Sequence, residues 1–336
     1  MILAACRQHE RANERESDCA DHRPSIWPII DRVPPFAVSL GYVVLIALWG
    51  STWAAIKIGV DAVPPFVFAF ERAAAVSIVL VGISLAMRHP FPRDRRVIVS
   101  AVIVGIFNTG SSWAIIFWSE QYVPSGLVSV FGASSPIWTA ILAHFLVRGD
   151  RLSPTKVLGL ILGLVGIAVL VGAPDTSGGP EVLVASVLLA LMPITWAVGT
   201  ILQARELRHG SPLPLVAIGT SAGALFLLPF AAAQASEAAN WTVGAALAFG
   251  YLVIFGSCVG LVLQLWLTRR LRPTTMTLAQ VVIPAQALLI GALALGENIT
   301  WRMVAGAALV VVAVALNAIA GGGSRPEPAA VASPAD

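Results

Sequence analysis

Long stretches without a single Asp, Glu, Lys or Arg restrict the fold of this chain more than any other feature. A helix needs about 20 residues to cross a bilayer core of about 30 Å. Nine uncharged stretches reach or approach this length, at 33–56, 97–119, 121–147, 157–174, 182–204, 210–236, 238–268, 273–296 and 303–324. A tenth, 64–87, joins them if two internal charges are tolerated. The sequence therefore predicts an all-α membrane protein with ten transmembrane helices, because isolated spans satisfy their backbone only as helices.

The basic residues predict how these helices are oriented. Of the 21 Lys and Arg residues, 18 lie in the amino tail, in every second gap between the uncharged stretches, or in the carboxy tail. The alternate gaps contain acidic residues such as Asp61, Glu120 and Glu297 but no Lys or Arg. Basic residues accumulate on the cytoplasmic side of membrane proteins. We therefore expect a multi-pass protein of the cell (inner) membrane with both termini in the cytoplasm.

Short matches between the two halves of the chain indicate an internal repeat. Trp49 recurs as Trp196, 147 residues later. The same offset, or one residue more, relates three further pairs: Asp150 and Glu297, Gly159 and Gly306, Pro136 and Pro284. The offset corresponds to five predicted helices, and an odd number reverses the direction of the second copy. We therefore predict two inverted five-helix repeats at 36–174 and 182–320, flanked by disordered cytoplasmic tails at 1–35 and 321–336. Inverted repeats are typical of secondary transporters, whose substrate site lies near the bilayer midplane.

Several segments together resemble one known family. In order along the chain they read WGSTWAAIK, PPFVFAFERAAA, SSPIWTAILAHF with GDRL, and VIPAQALLIGALALGENITW. This pattern resembles the EamA-type branch of the drug/metabolite transporter superfamily over residues 40–320. The resemblance implies ten helices in two inverted repeats and the transport of small metabolites. The chain departs from the family pattern at Asp150, where glutamate is usual, and in its long amino tail.

Three charged residues lie within or beside predicted helices. Lys57 lies at the outer end of the first, whereas Glu71 and Arg72 follow Pro64-Pro65 in the second. A charge at the bilayer centre costs roughly 2.5–3.5 kcal/mol on insertion scales, so such residues are functional candidates. We expect all three beside a central cavity, with Arg72 as the candidate for a substrate carboxylate and Glu71 or Lys57 for proton coupling. The alternative is that Glu71 pairs with Lys57 or Arg72 in a structural role.

Tryptophans and prolines supply the other candidates for the substrate pathway. Trp49 and Trp196 are expected to line a pocket, whereas the other tryptophans are expected at the membrane interfaces. Pro136 and Pro284 are expected to interrupt their helices and act as hinges for alternating access, because a proline removes a helical hydrogen bond. Gln280 lies close to Pro284 and is a candidate either for substrate binding or for a hydrogen bond between helices. Asn108 and Gln264 are expected instead to bond between helices.

The remaining features exclude several classes. Three cysteines without metal-ligand spacing and the lack of Walker A, HExxH and GxSxG motifs argue against a metal site, a cofactor, ATP hydrolysis and an enzyme. The scattered basic residues argue against nucleic acid. We expect a secondary carrier, monomeric or homodimeric, that exports amino acids or related metabolites, either by proton exchange or as a facilitator. The alternatives are an uptake permease and a non-transporting membrane enzyme or assembly factor.

Overall fold

The computed structural model describes residues 35–146, 154–171, 179–207, 211–268, 271 and 273–321. The chain divides into a unit of residues 1–41 and a unit of residues 42–336. Of the first unit, residues 35–41 are described and are helical. The predicted disordered tails lie outside the described residues, apart from Pro35 and Gly321. Every regular element in the described part of the chain is a helix.

Fifteen helical elements follow one another in the described residues, two of them π-helical. The first half contains α1 (Pro35–Val60), α2 (Pro65–Ala86), α3 (Arg95–Gly105), the first π segment (Ile106–Ser111), α4 (Ser112–Ser119), α5 (Ser125–Ala133), α6 (Ser135–Leu146) and α7 (Pro154–Val171). The second half contains α8 (Pro180–Glu206), α9 (Pro212–Ala233), α10 (Val243–Tyr251), the second π segment (Leu252–Val259), α11 (Gly260–Thr268), α12 (Pro273–Leu295) and α13 (Trp301–Gly321). Each π segment joins two α-helices without a break, and α5 meets α6 at the single residue Ser134, so these elements form ten helical stretches.

Local sequence explains where several helices begin. Pro65 occupies the first turn of α2, where its missing N–H is not needed. The Asp94 carboxylate accepts a hydrogen bond from the Arg96 backbone N–H at 2.8 Å and so caps α3. The Thr242 hydroxyl caps α10 in the same way, accepting from the backbone N–H of Ala245 at 3.1 Å. Caps of this kind compensate the unpaired N–H groups at the start of a helix.

The outer surface of the bundle is apolar. Five described helices are long and apolar enough to cross a membrane, and four further apolar helices are shorter. Large side chains such as Ile78 and Leu293 expose 72% and 78% of their surface. Exposing such an apolar surface to water is unfavourable, whereas contact with lipid tails is not. This agrees with the predicted all-α membrane fold at the level of helix content and composition.

The helices of the first half pack against helices of the second half. Extensive contacts join α2 to α9, α5 to α12, and α7 to α13. Small residues allow the closest approaches. A Cβ added to Gly105 would overlap the backbone of Gly219 on α9, and Gly166 and Gly306 meet between α7 and α13. Close packing at small residues is the usual source of cohesion between membrane helices, because lipid removes most of the hydrophobic drive.

The close approach at Gly105 gives a stability prediction. We expect Gly105→Ala to lower the melting temperature of the detergent-purified protein, because the new methyl group meets the rigid Gly219 backbone. Overpacking of this kind typically costs about 1–3 kcal/mol. Gly82→Ala on α2 is the matched control, since no atom lies within 4 Å of its added Cβ. Equal melting temperatures for the two variants would contradict the packing described here.

Candidate functional site

A cavity of about 360 Å³ lies among the helices. Residues from both halves line it, including side chains on α1, α2, α5, α8 and α12 and on both π segments. Helices α7 and α13 supply none of the lining residues among those described. The volume falls within the range of small-molecule sites, which is about 300–1,000 Å³.

Arg72 is the charged residue in the described lining of this cavity. Its side chain is 5% exposed, and one guanidinium N–H donates to the Ser257 hydroxyl at 3.1 Å. The guanidinium carbon lies 4.2 Å from the centroid of the Trp113 ring, a cation–π contact. The Nε atom has no hydrogen-bond partner among the described residues. The site thus presents a buried cation with an unused donor, which suits an anionic group such as a carboxylate.

Tryptophans form much of the cavity wall. Trp49 and Trp196, the pair expected in a pocket, both line it. Trp53 and Trp113 line it as well, although the sequence interpretation had assigned them to the membrane interface. Trp53 lies one turn after Trp49, so the two share a face of α1. Beside them, a Cβ on Gly132 would lie 3.1 Å from Trp196 and 3.4 Å from Trp53, so the glycine leaves room for both rings.

The two π segments bring polar groups to the same cavity. Asn108 and Thr109 of the first segment and Gly256 and Ser257 of the second are all lining residues. Asn108 was expected to bond between helices, yet its Oδ1 atom is buried without a hydrogen-bond partner in the described part of the chain. Short π-helical turns occur frequently at functional sites. Here the two π segments widen their helices at the positions where Asn108, Thr109 and Ser257 line the cavity.

Lys57 and Glu71 do not lie in the described cavity lining. Lys57 forms an ion pair with Asp61 at 2.7 Å, and the two side chains are 21% and 56% exposed. Glu71 is half-buried on α2, next to Arg72 but roughly 100° away around the helix. Of the three charges expected beside the cavity, Arg72 is thus the one found in its described lining. The alternative was that Glu71 pairs with Lys57 or Arg72. In the structure Lys57 pairs with Asp61, and Arg72 donates to Ser257.

The proline regions differ from each other. The helix breaks at Ser134, between α5 and α6 and two residues before Pro136. Pro284 lines the cavity, but α12 continues through it without interruption, contrary to expectation. Its missing N–H removes one hydrogen bond to the preceding turn without ending the helix. The side chain of Gln280 lies outside the described residues.

The motifs predicted neither the burial of Glu120 nor the capping contacts of Glu297. The Glu297 carboxylate accepts hydrogen bonds from the backbone N–H groups of Ser125 at 2.7 Å and Gly126 at 3.3 Å, so it caps α5 from the other half of the chain. Glu120 follows α4 and is 0% exposed. A signal for Glu120 did exist, since it is the only charged residue within 97–147.

Several known proteins are similar to this chain in sequence, and one solved structure is similar in fold. The chain is 29% identical over 265 residues to the uncharacterized inner membrane transporter YedA of Escherichia coli K12, covering 76% of this chain and 82% of YedA. It is 24% identical to the uncharacterized transporter YoaV of Bacillus subtilis, covering 83% and 96% of the two chains. A probable terminal-alkyne amino-acid exporter of Streptantibioticus cattleyicolor is 26% identical, covering 82% and 91%. A solved crystal structure has the same fold, with a TM-score of 0.56 at 21% identity over 85% of this chain and 98% of that one.

The model of a single family matches the chain twice. The EamA-like transporter family model covers residues 37–172 and again residues 183–319, which together make up most of the sequence. These matches confirm the resemblance read from the motifs, and they point to a transporter rather than an enzyme. Together with the apolar helices, they identify a multi-pass protein of the inner membrane, and the chain belongs to the EamA-like transporter family.

Proposed function

We propose that this protein is a secondary carrier that exports small carboxylate-bearing metabolites, amino acids or related compounds, by alternating access. The observation that carries the proposal is Arg72, a buried cation with an unpaired Nε in the cavity wall. An isolated buried cation is costly, so the site gains from an anionic occupant. The tryptophan rings would contact the apolar part of such a substrate.

The export direction and the substrate class draw support from a relative. The Streptantibioticus cattleyicolor protein is named a probable amino-acid exporter, and this chain covers 91% of it. An amino acid offers the carboxylate that Arg72 would bind. Uptake of the same compounds is the competing direction, and a directional transport assay separates the two.

Two inverted five-helix repeats complete the proposal. The family model matches each half separately, and α2, α5 and α7 pack against the helices that stand five stretches later. The π segments also correspond, because Thr109 and Gly256 are 147 residues apart and both line the cavity. If the segments that carry Lys and Arg between the helices face the cytoplasm, both termini lie inside the cell. A cavity between two inverted halves fits alternating access, in which each half rocks against the other.

Counterflow in proteoliposomes tests the proposal. Vesicles preloaded with an unlabelled amino acid should take up the labelled compound transiently, whereas vesicles without protein should not. The panel should contain amino acids, their amides and small cations, because the Arg72 site predicts that amides are transported poorly. Transport of the amides at the rate of the acids would contradict a carboxylate-binding role. No flux of any panel member would contradict the proposed substrate class.

A further inference from the structure

Glu120 is the most unusual ionisable residue in the described part of the chain. It lies directly after the membrane-length helical stretch Arg95–Ser119, and its side chain is completely buried. Neither carboxylate oxygen has a hydrogen-bond partner among the described residues. A buried ionised carboxylate without partners is strongly disfavoured and is normally neutralised by a proton.

Charged residues from several elements surround this carboxyl. Burial raises the pKa of Glu120 well above its ordinary value, and Glu297 and Asp61 raise it further, while Lys57 and Arg72 oppose the rise. Lys57 has the largest effect of these four neighbours. Its amine pairs with Asp61 at 2.7 Å, and the Glu120 oxygens accept no hydrogen bond from it. The arrangement favours a protonated Glu120 in the enclosed state and supplies a cation for its ionised form.

We infer that Glu120 is the proton-binding group of this carrier: it takes up a proton from water on one side of the membrane, stays protonated while enclosed, and releases the proton to water on the other side once the bundle has changed its opening. This inference rests on the proposed transport function and adds the coupling ion and its site. It assigns the coupling role to Glu120 rather than to Glu71, because Glu71 is half-buried whereas Glu120 is completely buried. The proton moves between the Glu120 carboxyl and water, with no other bond formed or broken.

Transport assays with Glu120→Gln test the inference, because glutamine has the shape of the protonated acid but cannot release a proton. In wild-type vesicles with an acidic interior, proton efflux should drive accumulation of substrate, up to about tenfold per pH unit for one proton exchanged. Glu120→Gln should lose this accumulation while keeping counterflow at equal pH. The matched control Glu71→Gln should keep both. Accumulation that persists in Glu120→Gln, or that follows a sodium gradient instead, would overturn the inference.

Infrared spectroscopy tests the protonation without any substrate. The purified wild type at neutral pH should show the C=O band of a protonated carboxylic acid, and Glu120→Gln should lack it while Glu71→Gln retains it. A wild type that transports but shows neither the band nor pH-driven accumulation would reject the coupling role and leave the carrier function standing. If no panel substrate is transported, the band still decides whether Glu120 holds a proton. Glu120→Asp provides a second variant if the glutamine protein is poorly folded.

Discussion

Replacing Arg72 with glutamine should raise the concentration of carboxylate-bearing substrate needed for half-maximal transport by roughly 30-fold or more. Truncating one partner of a buried charge pair typically costs about 2–5 kcal/mol, which corresponds to roughly 30-fold or more in affinity. Arg72→Lys should restore only part of the activity, because lysine keeps the charge but loses the planar fork and the stacking on Trp113. Counterflow measured over a range of substrate concentrations gives the comparison.

Controls separate binding from folding in this experiment. Arg95→Gln removes an exposed arginine from the first turn of α3 and should leave transport unchanged. The melting temperature of Arg72→Gln should not fall much, because the variant also removes the cost of burying a guanidinium. An Arg72→Gln protein that binds carboxylates as tightly as the wild type would refute the proposed role of this residue.

Replacing Glu297 with alanine should lower the melting temperature more than any other single change of an acidic residue in the loops. The carboxylate accepts two backbone N–H groups at the start of α5, from Ser125 and Gly126, which are both buried. Leaving a buried donor without a partner costs about 1–3 kcal/mol for each group. The negative charge is also favourable at a helix amino terminus. Thermal unfolding in detergent measures the loss.

Two further variants sharpen the test of the Glu297 cap. Glu181→Ala removes an exposed carboxylate from the first turn of α8 and should have little effect. Gly291→Ala should reproduce part of the Glu297→Ala loss, because its new Cβ would overlap the Glu297 carboxylate and displace it. If the melting temperature of Glu297→Ala equals that of the wild type, the Glu297 cap does not contribute to stability.

The all-helical membrane class followed from the sequence because the bilayer restricts a spanning segment by its length and composition alone. A stretch of uncharged residues long enough to cross the bilayer must be helical, whichever neighbours it packs against. The motifs around Lys57 and Asp150 carried the family resemblance in the same local way. An interruption was predicted at Pro136, and the helix breaks two residues earlier, at Ser134. The proline explains this position because it lacks the N–H that a continuous helix would use.

The site was less predictable, because the direction in which a side chain points depends on packing. Arg72 and Glu71 are adjacent, and only the neighbours of α2 decide that the arginine faces the cavity. Trp113 follows the first π segment, which shifts the phase of the helix relative to a regular 3.6-residue repeat. Glu120 looked like an ordinary loop residue because burial at the end of a helix depends on distant elements.

The paired π segments also have a consequence for the history of the chain. A π turn holds one residue more than an α turn, so a helix that gains one shifts everything after it by one position. Yet Trp49 and Trp196, before these segments, and Gly159 and Gly306, after them, are separated by the same 147 residues. The two halves therefore carry equal numbers of residues across this stretch, with the widened turn included in both. Equal spacing with the turn included is the pattern expected if the turn was already present in a half-length unit before that unit was duplicated.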